Sequence, residues 1–384
     1  MRILQVIPFF SPQMGGSAQV AYQISRRLGQ RGHDVTVVAS DYATGESRFE
    51  DGPFEVILFP NLIARWGFYV TPGLVRWARE HVSVFDVVHM HTTRTFQNAV
   101  VRHFAVRYGV PYVLSAHGTL PVIVERKLAK RIYDLLAGRS LLASASRLLA
   151  VSSLEAEQYG RAAGGEDGRV QVIHNGLDLD QFSPLPPRGS LRQKLGIAPE
   201  APVVLFLGRL HRIKGIDLLV EAFAQLRQEV KETILVIAGP DEGELDHLRA
   251  LAGRLGLEES VRFAGPLYGQ DKLAAYVDAD VIASPGAYEI FGLVPFEALM
   301  CGTPAVVGEG SAAGQLMRQA GAGTLVTDGD VATLADSLRR ALIDRAATAA
   351  QVAAGQAFVR RELDWDAIAG HLEDLYAGVG VHCA

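Results

Sequence analysis

The chain has 384 residues, 49% of them hydrophobic, with 39 glycines, 17 prolines and a net charge of −5. This length suits two domains, and the composition is that of a globular protein. The mildly acidic charge excludes a general attraction to nucleic acid. The two cysteines have no disulfide or metal-ligand pattern, and no apolar run reaches the roughly 18 residues of a membrane span. We therefore expect a cytoplasmic protein.

Short β-branched runs alternate with helical patterns along the whole chain. In the first half they predict strands at residues 3–7, 35–39, 55–59, 86–90, 111–115, 147–151 and 170–173. In the second half the predicted strands are 203–208, 234–238, 261–263, 281–283, 305–307 and 324–326. Apolar strands separated by helices are typical of parallel sheets that are covered on both faces.

The alternation is interrupted at residues 182–190, which carry three prolines. We therefore predict two doubly wound domains, residues 1–182 and 197–365, joined by a linker at residues 183–196. The last predicted helix, within residues 366–384, can pack on either domain, including back on the first. Because ligands of such sheets bind beyond the carboxyl ends of the strands, two such domains predict an interdomain cleft.

The loop after the first predicted strand contains Gly15 and Gly16. A helix is predicted from about Ala18 to Gln30, with Ser17 as its N-cap. Glycines at the positive end of a helix let an anionic group approach the backbone, although a plain turn is the alternative interpretation. The loop lacks the G-x-G-x-x-G pattern, which disfavours a nicotinamide-dependent dehydrogenase.

Two cations follow the first predicted strand of the second domain. Arg209 ends that strand, and Lys214 precedes an amphipathic helix. Arg as a planar fork and Lys as a point charge together suit a pyrophosphate. Two solvated loop cations are the ordinary interpretation of such a pair. Their position at a strand end and the carboxylate pair described next favour binding.

Glu289 and Glu297 lie eight residues apart around a turn that leads into a helix. Pro295 suits the first turn of this helix, and the sequence Cys301-Gly-Thr-Pro304 is typical of its end. The backbone N–H groups of residues 291–293 predict an anion site, and the two carboxylates add acceptors for hydroxyl groups. Donors for phosphate beside acceptors for hydroxyls indicate a sugar nucleotide.

In this order the motifs resemble the retaining glycosyltransferases of GT-B family 4, and the resemblance spans nearly the whole chain. Further matching segments are Asp86-Val-Val-His-Met-His91, Ala116-His117-Gly118 and Ile173-His-Asn-Gly-Leu-Asp178. In the last of these, His174 stands where the family has proline. The resemblance implies an α/β GT-B fold of two Rossmann-like domains facing a cleft, and a glycosyltransferase that moves a hexose.

The resemblance also implies residue roles. Arg209 and Lys214 would hold the donor diphosphate. Glu297 would bind the ribose, Glu289 would contact the transferred sugar, and His117 would lie near the sugar 6-hydroxyl. The implied donor-binding residues are Gly15, Gly16, Arg209, Lys214, Glu289, Ile290, Phe291, Gly292, Leu293 and Glu297. The implied catalytic residues are His117, Glu289, Arg209 and Lys214.

The expected donor is a UDP- or GDP-sugar, and the resemblance implies transfer with retention and with neither metal nor cofactor. The pairs Asp178/Asp180 and Asp278/Asp280 imitate a metal-binding Asp-x-Asp motif, but we disfavour a metal role. His89 and His91 have i, i+2 spacing that would also suit a metal, and a strand end lining the cleft is the preferred interpretation.

The expected acceptor is a saccharide or a lipid-linked sugar of bacterial polysaccharide or glycolipid synthesis. Arg94, Thr95 and Gln97 follow a predicted strand end and are candidates for contacting it. The region from Arg94 to Arg147 is basic, and aromatic residues interleave with arginines at residues 65–79. Aromatics beside cations suit an anionic membrane surface, so we expect a peripheral enzyme on the inner face of the plasma membrane.

Three other functions stay open at this point. A disaccharide synthase with a free sugar acceptor fits the same motifs, because nothing in them fixes acceptor size. A non-catalytic protein that binds nucleotide sugar and supports a partner is the second alternative. A sugar-nucleotide epimerase shares the two-domain architecture but is disfavoured by the Glu289–Glu297 segment.

Overall fold

The computed structural model describes residues 1–11, 16–42, 52–65, 68–121, 127–165 and 167–380. The chain forms two compact units: unit 1 comprises residues 1–176 and the segment from Trp365 onward, and unit 2 comprises residues 177–364. The predicted linker at 183–196 lies within unit 2. Its helix Ser190–Lys194 packs on the helix Gly269–Asp278, and its Leu191 is buried in that unit's core.

Unit 1 is built on a seven-stranded parallel sheet with the order β3-β2-β1-β6-β7-β8-β9, and β4 and β5 form a separate antiparallel pair. The strands are β1 Arg2–Phe9, β2 Asp34–Ser40, β3 Glu55–Phe59, β4 Ile63–Arg65, β5 Phe68–Val70, β6 Val87–His91, β7 Tyr112–Ser115, β8 Arg147–Ala150 and β9 Val170–Val172.

The helices of unit 1 cover both faces of this sheet. They are α1 Gly16–Gln30, α2 Gly73–His81, α3 Phe96–Tyr108, α4 Lys127–Tyr133, α5 Arg139–Ala143, α6 Ser153–Ala163 and the final helix, Trp365–Gly380. A π-helical segment, Asp134–Gly138, joins α4 to α5. Helix α1 begins earlier than predicted, so Ser17 lies inside it rather than capping it, and Gly15 lies outside the described residues.

Unit 2 is built on a six-stranded parallel sheet with the order β12-β11-β10-β13-β14-β15. Its strands are β10 Val203–Leu207, β11 Ile234–Ala238, β12 Val261–Gly265, β13 Val281–Ser284, β14 Ala305–Gly308 and β15 Thr324–Val326. Its helices are α7 Ser190–Lys194, α8 Ile216–Glu229, α9 Leu245–Arg254, α10 Gly269–Asp278, α11 Val294–Met300, α12 Ala312–Ala320, α13 Val331–Ile343 and α14 Arg345–Glu362. The final helix is therefore α15.

Every strand predicted from the sequence is present to within about two residues, because buried strands of parallel sheets are continuous apolar runs. The side chains alternate between the two faces of each sheet. In β1, Leu4 belongs to the core beneath α2 and α3, while Ile3 belongs to the core beneath α1 and α15. This alternation decides which polar residues meet at the site of unit 1.

The final helix packs on α1 and buries Leu372, Leu375 and Tyr376, which lie on one face at helical spacing. At the point where the chain leaves and re-enters unit 1, Gly176 lies against Trp365. A Cβ at Gly176 would come within 2.5 Å of the indole ring. Glycine is therefore required here by close packing.

Candidate functional site

In each sheet the order of the strands reverses at one place, the topological switch point. In unit 2 this switch point lies between the paired strands β10 and β13, because β11 and β12 follow on one side and β14 and β15 on the other. Ligands of doubly wound sheets bind beyond the carboxyl ends of the strands at such a point. The loop after β10 carries Lys214, and the loop after β13 carries Glu289.

Lys214 and Glu289 meet across the switch point of unit 2. The Lys214 Nζ donates a hydrogen bond to Glu289 Oε1 over 2.7 Å. The two side chains are 16% and 21% exposed, so the pair is partly shielded but still open to solvent. A lysine and a carboxylate held in this way present both a cation for phosphate and acceptors for hydroxyls.

Two glycines make this approach possible. A Cβ on Gly286 would lie 2.9 Å from the Ile213 carbonyl oxygen and 3.1 Å from Lys214 Cα, so the two loops touch backbone to backbone. A Cβ on Gly292 would lie 2.7 Å from Glu289 Cδ. The Glu289 carbonyl also accepts a hydrogen bond from the Ala312 N–H over 3.0 Å, which ties the loop to α12.

Glu297 lies in the first turn of α11, where Pro295 occupies the predicted early position. Its carboxylate accepts hydrogen bonds from Lys272 Nζ over 2.9 Å and from the Tyr276 hydroxyl over 2.5 Å. Both partners come from α10. The helix ends at the predicted place, and Cys301 just beyond it is a core residue whose pKa burial raises to about 12.

Arg209 is placed differently from Lys214. Its guanidinium forms an ion pair with Glu242 over 2.5 Å, and the two side chains are 54% and 36% exposed. The described contacts of Arg209 therefore do not join it to Lys214 or to either predicted glutamate. Its predicted contact with a diphosphate stays a prediction.

Unit 1 brings three histidines together at the carboxyl ends of β6 and β7. The His89 and His91 rings lie 4.3 Å apart, and His91 stacks on His117 with ring centroids 5.2 Å apart. His91 Nδ1 and His117 Nε2 are 2.9 Å apart, and His91 Nε2 lies 2.7 Å from Gln5 Oε1. His89 lies 2.7 Å from both the Tyr376 hydroxyl and Ser115 Oγ.

The alternation of side chains between the two faces of the sheet explains this cluster. Gln5 on β1, His89 and His91 on β6 and Ser115 on β7 share the face of the sheet that α15 covers. The sequence predicts a site role for His117 and places His89 and His91 at a strand end that lines the cleft. It missed Gln5 and Tyr376, because a polar residue inside a strand and a tyrosine on a distant helix carry no local signal.

The backbone at His117 is strained, with φ of 51°, in the left-handed region that non-glycine residues seldom adopt. Glu155 holds the loop that follows it, since its Oε1 accepts from the Gly118 N–H over 2.5 Å and its Oε2 from the Val151 N–H over 2.8 Å. Such strain persists only where the surrounding structure enforces it, and it clusters at functional sites.

The histidines are neutral at physiological pH. Burial lowers the pKa of His89 to about 3 and that of His117 to about 4, and burial together with the neighbouring histidines lowers the pKa of His91 well below its ordinary value. Desolvation disfavours the charged form of all three rings, and neighbouring rings also oppose a charge on His89 and on His91. Each ring therefore donates through one nitrogen and accepts through the other.

The three residues predicted to touch the acceptor have internal partners. Arg94 donates to Asp134 and to the carbonyls of Thr119 and Leu120. Thr95 caps α3, and the amide of Gln97 donates to the Tyr69 carbonyl. Thr95 and Gln97 are 4% and 1% exposed, so their contacts give no support to the predicted role.

One of the two aspartate pairs that imitate a metal motif, Asp278 and Asp280, has structural partners. Asp278 accepts hydrogen bonds from the N–H groups of Gly189, Leu191 and Arg192. Asp280 pairs with Arg188, Arg192 and Arg345. In the described residues no cluster of three or more His, Cys, Asp or Glu side chains is arranged to hold a metal ion.

Comparison with known proteins identifies the class. Residues 14–181 match the family described as Glycosyltransferase Family 4, and residues 187–358 match Glycosyl transferases group 1. The chain therefore belongs to the group 1 glycosyltransferases of family 4. The D-inositol 3-phosphate glycosyltransferase of Xylanimonas cellulosilytica is 31% identical, over 94% of this chain and 91% of the relative.

Solved structures agree with this assignment. Anabaena Alr3699/HepE, in complex with UDP and glucose, is similar with a TM-score of 0.76 and 25% identity over 98% of this chain and 100% of its own. A sucrose-phosphate synthase from Thermosynechococcus elongatus has a TM-score of 0.77 at 23% identity over 99% of each chain, a likeness of fold alone. The predicted GT-B fold class, with two Rossmann-like domains, is confirmed.

Proposed function

We propose that this protein transfers a hexose from a UDP- or GDP-sugar to a saccharide or lipid-linked acceptor, with retention of configuration and without a metal ion or other cofactor. The observation that carries the proposal is the Lys214–Glu289 pair across the switch point of unit 2. Its chemistry suits a donor that combines a diphosphate with a hydroxylated sugar. The Anabaena relative's complex with UDP and glucose supports the same class of donor.

In the proposed reaction, the anomeric bond to the diphosphate breaks while the sugar gains oxocarbenium character. Lys214, helped by Arg209, stabilises the negative charge that develops on the leaving diphosphate. Glu289 orients the sugar, with the backbone of residues 290–293 and of Gly15 and Gly16 as further donor contacts. Glu297 binds the ribose, and its hydrogen bonds with Lys272 and Tyr276 fix the carboxylate for that purpose.

His117 is proposed to contact the transferred sugar. Its ring is neutral and its backbone is held in an unusual conformation, which together suit a hydrogen bond of fixed direction rather than a charge interaction. The acceptor hydroxyl passes its proton to the leaving phosphate in this proposal, so neither glutamate serves as a nucleophile.

A thermal-shift panel of UDP, GDP, dTDP and ADP, with and without Mg²⁺, tests the donor site. A nucleotide at 100 times its Kd should add about 2.7 kcal/mol of stability. We expect one nucleotide to stabilise the protein independently of Mg²⁺, and Glu297→Ala to abolish that shift. Lys194→Ala is the matched control, because Lys194 forms an exposed ion pair with Asp271 in the same unit.

No shift with any nucleotide would contradict the donor site and favour a non-catalytic role. A shift that requires Mg²⁺ would contradict metal independence. The anomeric configuration of the product, read by NMR from the coupling constant of its new linkage, tests retention: an inverted product would overturn that part of the proposal.

A membrane-proximal acceptor is supported by one exposed face of unit 1. The segment α4–α5 exposes four large apolar side chains by half or more, and the exposed cations Arg131 and Arg139 lie on the same segment. The four are Leu128, Ile132, Leu135 and Leu136. Apolar side chains beside cations suit the surface of an anionic bilayer. No helix in the described part of the chain is long and apolar enough to cross a membrane.

The aromatic residues that first suggested a membrane surface are largely packed inside. Tyr69 is buried against Phe9, Trp77 packs on Phe59, and Trp66 lies outside the described residues. Co-flotation with phosphatidylglycerol vesicles tests the α4–α5 face. We expect binding at low salt that Leu135→Gln weakens and that Ile343→Gln, an exposed residue of unit 2, leaves unchanged. Equal binding to neutral phosphatidylcholine vesicles, or none to either, would overturn the idea.

A further inference from the structure

The loop that begins at His117 has an unusual backbone conformation. His117 has φ of 51° and the following Gly118 has φ of 77°, so two consecutive residues lie in the left-handed region. Glycine adopts this region readily, but a histidine does so only where its surroundings enforce it. The contacts that hold this loop therefore decide where the His117 ring is placed.

One of these contacts comes from Glu155, a fully buried residue in the first turn of α6. Its Oε1 accepts from the Gly118 N–H over 2.5 Å, and its Oε2 accepts from the Val151 N–H over 2.8 Å. Ser152 caps the helix by accepting from the Glu155 N–H over 3.2 Å. In an ordinary capping box the glutamate reaches back to the N–H of the capping residue. Here the carboxylate reaches the residue before the cap and joins the start of α6 to the loop after β7.

The chemistry of this contact requires a carboxylate. Both partners are N–H donors, and a carboxylate accepts at each of its two oxygens. A glutamine of the same shape would turn an NH₂ group toward one of the two donors. Burial raises the pKa of Glu155, and the N–H groups of Gly118 and Val151 oppose that rise. The two hydrogen bonds therefore stabilise the ionised carboxylate as well as the loop.

Arg94 holds the same loop through its carbonyl groups. The guanidinium donates to the Thr119 carbonyl, and to the Leu120 carbonyl over 2.9 Å. Its Nε and Nη2 also donate to the two oxygens of Asp134 over 2.9 and 2.8 Å, which orients the fork. A planar guanidinium can make these contacts together, whereas a lysine ammonium cannot. Arg94 therefore fixes carbonyl groups of the loop whose N–H is fixed by Glu155.

We propose that Glu155 and Arg94 are positioning residues of the transfer reaction, which hold the His117 ring in place through the backbone of residues 118–120. Their hydrogen bonds to this loop end on its backbone, so they act on the ring through it. The proposal rests on the proposed function in taking His117 as the residue that contacts the transferred sugar. It gives Arg94 a role different from the predicted contact with the acceptor.

Hydrogen–deuterium exchange of the full-length protein, read by mass spectrometry in peptides that cover residues 116–120, tests these contacts without any substrate. We expect Glu155→Gln and Arg94→Lys each to speed exchange there by about tenfold, because each loosens the loop. Asp278→Asn is the matched control, since the buried Asp278 carboxylate accepts from three backbone N–H groups around the start of α7 in unit 2. It should speed exchange at residues 189–192 and leave residues 116–120 unchanged.

Initial rates of sugar transfer separate positioning from a purely structural role. We expect Glu155→Gln and Arg94→Lys each to lower kcat about tenfold, and Asp278→Asn to stay near wild type. His117→Asn removes the ring, and asparagine tolerates the left-handed backbone. In that background Glu155→Gln should change kcat by less than about twofold, because a residue that acts only through His117 has no ring left to position.

Exchange at residues 116–120 that keeps the wild-type rate in both variants would overturn the proposal. So would a tenfold loss from Glu155→Gln that is the same with and without the His117 ring. If Glu155→Gln does not fold, Arg94→Lys undergoes the same two tests and decides the outcome. If exchange responds as expected but the wild type transfers no sugar, the proposed function fails and the assignment of the contacts that hold the loop stands.

Discussion

The two units hold their polar site residues in opposite ways. In unit 1, His89 and His91 are fully buried and neutral, and each is hydrogen-bonded to a buried side chain of an adjacent strand. In unit 2, Lys214 and Glu289 form an ion pair that stays 16% and 21% exposed. One site is a network of neutral donors and acceptors, and the other is a pair of charges at the edge of solvent.

Desolvation explains the difference. Neutral imidazoles can be buried at modest cost when every nitrogen has a partner, and burial then fixes the direction of each hydrogen bond. A charge that must bind an anion keeps some contact with water, because full burial of an unpaired ion is far too costly. The site of unit 1 therefore offers hydrogen bonds of fixed direction, and the site of unit 2 offers charges that can bind an anion.

The largest expected effect is the loss of the charge in unit 2. We expect Lys214→Ala to lower kcat by about 10²–10³, because a preorganised cation stabilises the leaving diphosphate. Initial rates of sugar transfer measure this. Lys194→Ala should stay near wild type, and an equal loss in both variants would mean that the effect is not specific to the site.

The next effect concerns the neutrality of unit 1. The pKa values of about 3 for His89 and about 4 for His117 lie below the ordinary 6.5, so between these values the unfolded chain binds protons that the folded chain does not. Stability should therefore fall as pH decreases from about 6.5 towards 4, by up to about 1.4 kcal/mol per pH unit for each histidine.

Thermal unfolding at pH 7.5, 6.0 and 5.0 measures this dependence. His117→Asn removes one titrating ring and should flatten the slope, whereas added salt should change it little because the rings are buried. A midpoint that stays constant across this range would show that the histidines are not held neutral.

A smaller effect is expected from Gly292→Ala. The new Cβ would lie 2.7 Å from Glu289 Cδ, so the carboxylate must leave the position in which it pairs with Lys214. We expect about a tenfold loss of kcat, equivalent to one good hydrogen bond, with little change in Tm. Gly168→Ala is the control, because a Cβ there meets nothing within 4 Å. Unchanged kinetics would show that the position of Glu289 is not critical.

The smallest effect is expected at the exposed pair of unit 2. Glu242→Gln removes the partner of Arg209, and both side chains are well exposed. Exposed ion pairs contribute little, so the unfolding free energy should change by less than about 0.5 kcal/mol. Urea denaturation at low and high salt measures it, and a change above 2 kcal/mol would mean that this pair is as important to the fold as the buried network.

The sequence alone determined the strands, and it predicted the residues that meet at the candidate site of unit 2. Parallel strands are apolar runs that can be recognised one at a time, and Pro295, Glu297 and Gly302 mark a helix start and stop by local rules. Lys214 follows a predicted strand end, and Glu289 precedes a predicted helix that contains Glu297. Local patterns are enough to predict such a site when the two strand ends are neighbours in the sheet, because right-handed connections determine the order of the strands.

Only the tertiary structure decided the rest. It showed that the chain from Trp365 onward belongs to unit 1, that residues 183–196 belong to unit 2, and that Thr95 and Gln97 are buried. It also brought Tyr376 to His89. No local pattern links residues so far apart in sequence. Whether they come together depends on which face of β1 and β6 the final helix covers. The packing of Ile3, Leu372 and their neighbours decides which face that is.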